Sequence, residues 1–345
     1  MTAEASLSES RDRRIPWVDY AKGICIVMVV MMHSTLGVGE AAGGEGFLHY
    51  VVEFARPFRM PDFFLISGLF LSIVIDRDWR TYLDRKVVHF FYFYVLWLAI
   101  QGALKWLPDG PAVFGEEFAL GLVQPFGTLW FIYLLPVFFV AAKLLKNVPP
   151  LLVLAVAALL EMAPVHTGSV VVNEFAARFI YFCIGWYAAP AVFAFARIVQ
   201  DYAGAALIAL AGWAVLHALA VFWLGLSTLP VVSLLLGLVG CAAVVAAAAL
   251  LARFKGADFI RYCGEHSIVI YLAFFLPMAA TRIALMKTGV VTDIGWMSVI
   301  VTAMGIVCPL ILYWFTERTG WLRFLFNRPD AFRIDRARPN VQPAE

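Results

Sequence analysis

The chain has 345 residues, of which 63% are hydrophobic and 14% charged. Soluble domains carry about 25% charged residues, so this composition excludes an ordinary water-soluble enzyme and predicts an integral membrane protein. The formal net charge of +2 does not point to a nucleic-acid partner, and the placement of the charges is more informative than their sum.

A helix that crosses the hydrocarbon core needs roughly 20 mostly apolar residues. About ten stretches qualify in chain order: 17–38, 50–75, 87–107, 128–146, 148–164, 176–196, 203–224, 229–252, 267–287 and 295–316. Arg11, Arg13 and Arg14 ahead of the first stretch resemble the start of a secretory signal. No A-x-A site follows His33 and many spans come after it, so the first stretch is read as a retained span. The second is interrupted by Pro57 and Pro61, which argue against one ideal helix, and 148–164 is short.

Cytoplasmic loops retain positive charge. With the N-terminus inside, every lysine and arginine falls on the cytoplasmic side except Arg56, Arg59, Lys105, Arg178, Arg282 and Lys287. The reading is therefore an all-α polytopic protein with both termini cytoplasmic. Residues 1–15 form a disordered cytoplasmic start, 16–316 the membrane domain, and 317–345 a basic, partly amphipathic tail. Trp321, Phe324 and Phe326 are expected to hold that tail on the membrane surface, with Arg323 and Arg328 facing lipid headgroups. The one long outside loop is expected near 108–127. The five cysteines, Cys25, Cys183, Cys241, Cys263 and Cys308, form no CxxC pair and suggest inert thiols with no metal site.

Ionisable groups inside a span are costly and are functional candidates by default. In DYAKGICIVMVVMMHS, residues 19–34, Lys22 and His33 lie eleven residues apart, roughly 16 Å along a helix axis. An imidazole stays neutral in the membrane yet still accepts a proton. His33 reads either as a proton-handling group or as an interhelical link. In EFARPFRMPDFFLISG, residues 53–68, Glu53, Arg56, Arg59 and Asp62 fall three apart. They read as the wall of a polar cavity on the outer half or as a mutually neutralising ion network. Ser67 and Gly68 admit a close neighbouring helix. Arg85 and Lys86, at the inner edge of the third stretch, read either as a site for the phosphates of an anionic ligand or as an ordinary positive-inside anchor. Proton or substrate translocation by a transporter remains the rival reading of these buried charges.

Taken together, Asp19, Lys22, Gly23 and His33, then FRMPDFFLISG (58–68), the pair Arg85 and Lys86, TLWFIYLL (128–135) and GEHSIVIYL (264–272) resemble the acyltransferase 3 family of integral membrane acyltransferases. The resemblance runs from about residue 15 to 316. It implies transfer of an acyl group, commonly acetyl from acetyl-CoA, to a hydroxyl of a glycan or lipid-linked sugar beyond the bacterial cytoplasmic (inner) membrane. It implies His33 as the catalytic residue, as general base or as acyl carrier. Lys22, Arg85 and Lys86 would bind the donor acyl-CoA, and Arg59 and Asp62 are candidates to orient the acceptor or an oxyanion. The partners implied are the acceptor, membrane lipids and a periplasmic partner protein, or else a mechanism complete in this one domain. One position departs from the family: Phe274 stands where members often carry the histidine of a YL-x-His motif.

Overall fold

The computed structural model describes residues 15–226, 229–254 and 257–334. Arg11, Arg13, Arg14, Lys255, Arg336 and Arg338, all counted above as cytoplasmic, lie outside the described residues, as does nearly all of the predicted N-terminal segment. The described chain is helical throughout. Among the described residues six helices are long and apolar enough to cross a membrane, or up to nine if each bent pair is one span. The stretch predicted at 148–164 is a shorter apolar helix, Pro150–Met162.

Helix α1 (Pro16–Ala42) is the central element. Pro16 sits in its first turn, where the missing N–H costs nothing, and Gly43 ends it in the left-handed conformation at φ 69°. The second predicted span divides, as its prolines require, into α2 (Phe47–Ala55) and α3 (Arg59–Gly68), and the pair bends by 43°. Pro61 lies within the first turn of α3, where a proline removes no intrahelical bond. The third span starts earlier than predicted. A short helix from Trp79 is capped by the Asp78 carboxylate, which accepts from the Thr81 N–H at 2.9 Å. That bond holds the exposed Asp78 carboxyl below the usual carboxylate range. A π turn, Asp84–Val88, follows and runs straight into α4 (His89–Trp106). The predicted outside loop is itself helical over Pro111–Gly121, tied to α4 by the Tyr94 hydroxyl on the Gly121 carbonyl.

Helix α5 (Trp130–Leu145) follows, and then α6 (Val170–Tyr187). The stretch predicted as one straight span at 176–196 bends by 76° between α6 and Ala189–Asp201, because Pro190 restarts the chain in a new first turn. Helix α7 (Pro230–Phe254) packs beside α1, whereas Ala203–Trp223 is only 11% buried and lies at the periphery. The short α8 (Asp258–Glu265) leads to α9 (Ser267–Ala273) and α10 (Phe275–Thr288), which bend by 53° at Phe274. Helix α11 (Ile294–Thr319) closes the bundle against α1.

Two backbone approaches fix this arrangement. A Cβ on Gly23 would strike the Ile260 carbonyl, and one on Gly264 would strike the Asp19 carbonyl and the Gly23 amide. Helices α1 and α8 therefore meet backbone to backbone. Gly68 and Gly185 do the same for α3 and α6, each facing a carbonyl of the other helix, which is the close approach predicted at Gly68. Overpacking such a contact typically costs about 1–3 kcal/mol. Gly264→Ala is expected to lower the thermal midpoint of the detergent-solubilised protein, and an unchanged melting curve would refute the contact.

The tail departs from its expected place. Trp321 and Phe324 are exposed, at 64% and 41%, but Leu325 and Phe326 are buried. Arg328 pairs with Asp84 at 2.7 Å, with both side chains under 10% exposed, and Arg323 bonds the Glu317 carbonyl at 3.1 Å. Phe326 and Arg328 therefore do not face lipid. The carboxylate of a distant helix outcompetes headgroups for Arg328 because that pair is withdrawn from water.

Candidate active site

His33 lies on α1, eleven residues beyond Lys22, and both side chains are half-buried. The imidazole rests on Phe274, with ring centroids 5.5 Å apart and a 35° tilt. Neither ring nitrogen has a hydrogen-bond partner among the described residues, so the structure gives no support to the interhelical-link reading. The ring contact falls at the 53° bend between α9 and α10. The residue that departs from the family pattern thus touches the candidate catalytic group.

Arg59 stands in the first turn of α3, a helix that packs against α1. Arg59 is 8% exposed. One terminal nitrogen donates to the Val52 carbonyl at 3.4 Å, and its Nε has no partner. The four charged residues of the second span form no common network. Glu53 pairs with Arg56 at 3.1 Å on an exposed surface. Asp62 turns the other way, is fully buried, and accepts from the Cys25 thiol of α1. Cys25 is eight residues before His33, roughly 12 Å back along the axis. Arg59 and Asp62 are one helical turn apart, about 4.5 Å along the axis, and reach different neighbours: Arg59 the Val52 carbonyl and Asp62 the Cys25 thiol.

Sequence reading missed a polar group around the bend. Gln101 of α4 is 1% exposed and donates to the Leu272 carbonyl at 3.4 Å, while its Oε1 is unpartnered. Tyr271 ties the bend to the start of α5. Its hydroxyl donates to the Thr128 carbonyl and accepts from the amides of Phe131 and Ile132 at 3.2 and 3.4 Å. The hydroxyls of Thr128, Ser34 and Thr35 are buried without partners. Gln101 carried a readable signal, being the one amide in a span whose other polar side chains, His89 and Lys105 apart, are aromatic. Tyr271 carried none, because its role depends on which helix start it meets.

Arg85 and Lys86 stand on the π turn that runs into α4. Lys86 lies over the Phe139 ring at 4.9 Å. Arg85 is half-buried and makes no hydrogen bond or ion pair among the described residues.

These features define an all-α polytopic membrane protein with a half-buried histidine beside a bend, a buried arginine on a neighbouring helix and a basic pair on a π turn. The family model described as an acyltransferase domain, acyltransferase 3, matches residues 15–315, and the chain belongs to that family. Inner membrane protein YcfT of Escherichia coli (strain K12) is 27% identical over 202 residues, which is 50% of this chain and 56% of that protein. The chain thus spans little more than half the length of that relative. No solved structure matches.

Proposed function

We propose that this membrane acyltransferase moves an acetyl group from cytosolic acetyl-CoA to a hydroxyl of a glycan or lipid-linked sugar outside the bacterial inner membrane. The observation that carries this reading is the half-buried imidazole, whose nitrogens have no hydrogen-bond partner among the described residues, on a helix packed against the one that bears the buried Arg59. His33 takes the acceptor O–H proton as the oxygen attacks the thioester carbonyl. Arg59 offsets the oxyanion that forms. The C–S bond then breaks, and the coenzyme thiolate leaves with the proton that His33 returns. Attack by the imidazole itself, giving an acyl-histidine that the acceptor then discharges, balances equally well. The donor's phosphates meet Arg85, Lys86 and Lys22, so the pantetheine arm runs inward along α1.

Comparison of surface-glycan acetylation by mass spectrometry, with and without the gene, tests this assignment. Equal acetylation in both strains would defeat it. Lys22→Ala is expected to raise the KM for acetyl-CoA by roughly tenfold or more, the worth of one charge-assisted hydrogen bond. The acceptor KM should stay unchanged. An unaltered donor saturation curve removes Lys22 from the donor path.

A further inference from the structure

We propose that Arg282 is the acceptor-binding cation of this site, and that the acceptor carries an anionic group, a carboxylate or a phosphate, close to the hydroxyl that is acylated. The proposal rests on the acetyl-transfer reading above. Arg282 lies on α10, about two turns past the bend at Phe274. Its guanidinium reaches back to α1 and donates from Nη1 to the Gly37 carbonyl at 2.9 Å. The same nitrogen stands 2.7 Å from where a Cβ on Gly37 would lie.

Gly37 is four residues beyond His33 on α1, on the side away from Lys22. Residues four apart share a helix face and are separated by roughly 6 Å along the axis. The guanidinium therefore sits over the face of α1 that carries the imidazole, one turn further from Lys22. Phe274 marks the same face, because it packs on His33 and α10 begins directly after it. The broken helix thus meets α1 twice, at the imidazole through Phe274 and one turn on through Arg282. The missing side chain of Gly37 permits the second meeting, since a Cβ there would displace the guanidinium.

Arg282 is half-buried and forms no ion pair among the described residues. Glu40, the next carboxylate along α1, is exposed and does not pair with it. The side chain turns inward rather than to lipid. Met278, one turn earlier on α10, is buried against α11, where a Cβ on Gly305 would come within 3.8 Å of it. Arg282 shares that face, whereas Ile283 takes the exposed side. A guanidinium whose partner is one neutral carbonyl keeps further donors of its planar fork for a carboxylate or phosphate. Such a pair would hold the acceptor with its hydroxyl toward His33, and a neutral acceptor would leave the charge unmatched.

The test uses surface glycan extracted from a strain lacking the gene, labelled acetyl-CoA and the detergent-solubilised full chain. Arg282→Gln is expected to raise the glycan KM by about tenfold or more, with the KM for acetyl-CoA unchanged. Gly37→Ala keeps the charge and favours the helix but displaces the guanidinium. It should raise the glycan KM at an unchanged melting temperature, and it stands in should Arg282→Gln fail to fold. Two treated glycans identify the anion, one with its carboxyl groups reduced to alcohols and one with its phosphate removed. One treatment is expected to raise the wild-type KM to the level of Arg282→Gln and to leave that variant unaffected. An unaltered glycan KM in Arg282→Gln, or in Gly37→Ala where it stands in, overturns the proposal. So does a fall in kcat or melting temperature with no change in glycan KM, or a wild type indifferent to both treatments. If the wild type passes no label to the extracted glycan, the acetyl-transfer reading itself has failed, and the role of Arg282 fails with it.

Discussion

Replacing His33 with alanine is expected to lower acetyl transfer by about 10²–10⁴-fold, the usual worth of a positioned general base. Label passing from radioactive acetyl-CoA to the surface glycan, in membranes matched for protein, measures it. The ring is half-buried and makes a single aromatic contact, with Phe274, so its loss should leave membrane insertion and melting nearly unchanged. Transfer at the wild-type rate by a well-inserted His33→Ala protein would end the base role and the acyl-carrier role together. Those two roles separate on incubation with labelled acetyl-CoA and no acceptor, since only the carrier retains label on the protein.

A loss of about 10²–10³-fold is expected for Arg59→Gln, comparable with the removal of one oxyanion donor in other enzymes. Its structural signature should be unusual. Arg59 is buried and makes no ion pair among the described residues, Glu53 being paired with Arg56 and Asp62 bonded to Cys25. A buried cation in that state weighs against the fold, so Arg59→Gln should melt no lower than the wild type while losing activity. Arg59→Lys should recover little, because an ammonium cannot reproduce the planar fork. Activity and melting temperature falling together would make Arg59 a structural residue.

The breaks of the chain were unevenly legible. Pro57 and Pro61 announced the bend between α2 and α3, because a proline without its N–H limits where a helix can run. Pro277, three residues past Phe274, gave the same notice in a stretch read as one span, but nothing in the sequence showed that this bend brings Phe274 onto His33. The tail was read as amphipathic, and half of it is: Trp321 and Phe324 face outward. Its other half found partners on α4 and the π turn, and amphipathicity alone does not choose between a membrane surface and a protein surface. The row from Glu53 to Asp62 was legible as a concentration of charge. Which carboxylate met which cation was not, because four residues on a bent segment face four directions.

Local chemistry, readable in one dimension, determined the class of this protein: apolar runs long enough to cross a bilayer, the cost of ionisable groups inside them, and the spacing of Lys22 and His33 along one helix. Tertiary structure alone decided that Phe274 meets His33 and Asp62 joins Cys25, that Gln101 and Tyr271 gather at the bend, and that Arg328 crosses the chain to Asp84. Hydrophobicity sums along a segment whatever its neighbours are. Hydrogen bonds and ion pairs are short-ranged and directional, so they are settled only when helices distant in the chain have docked.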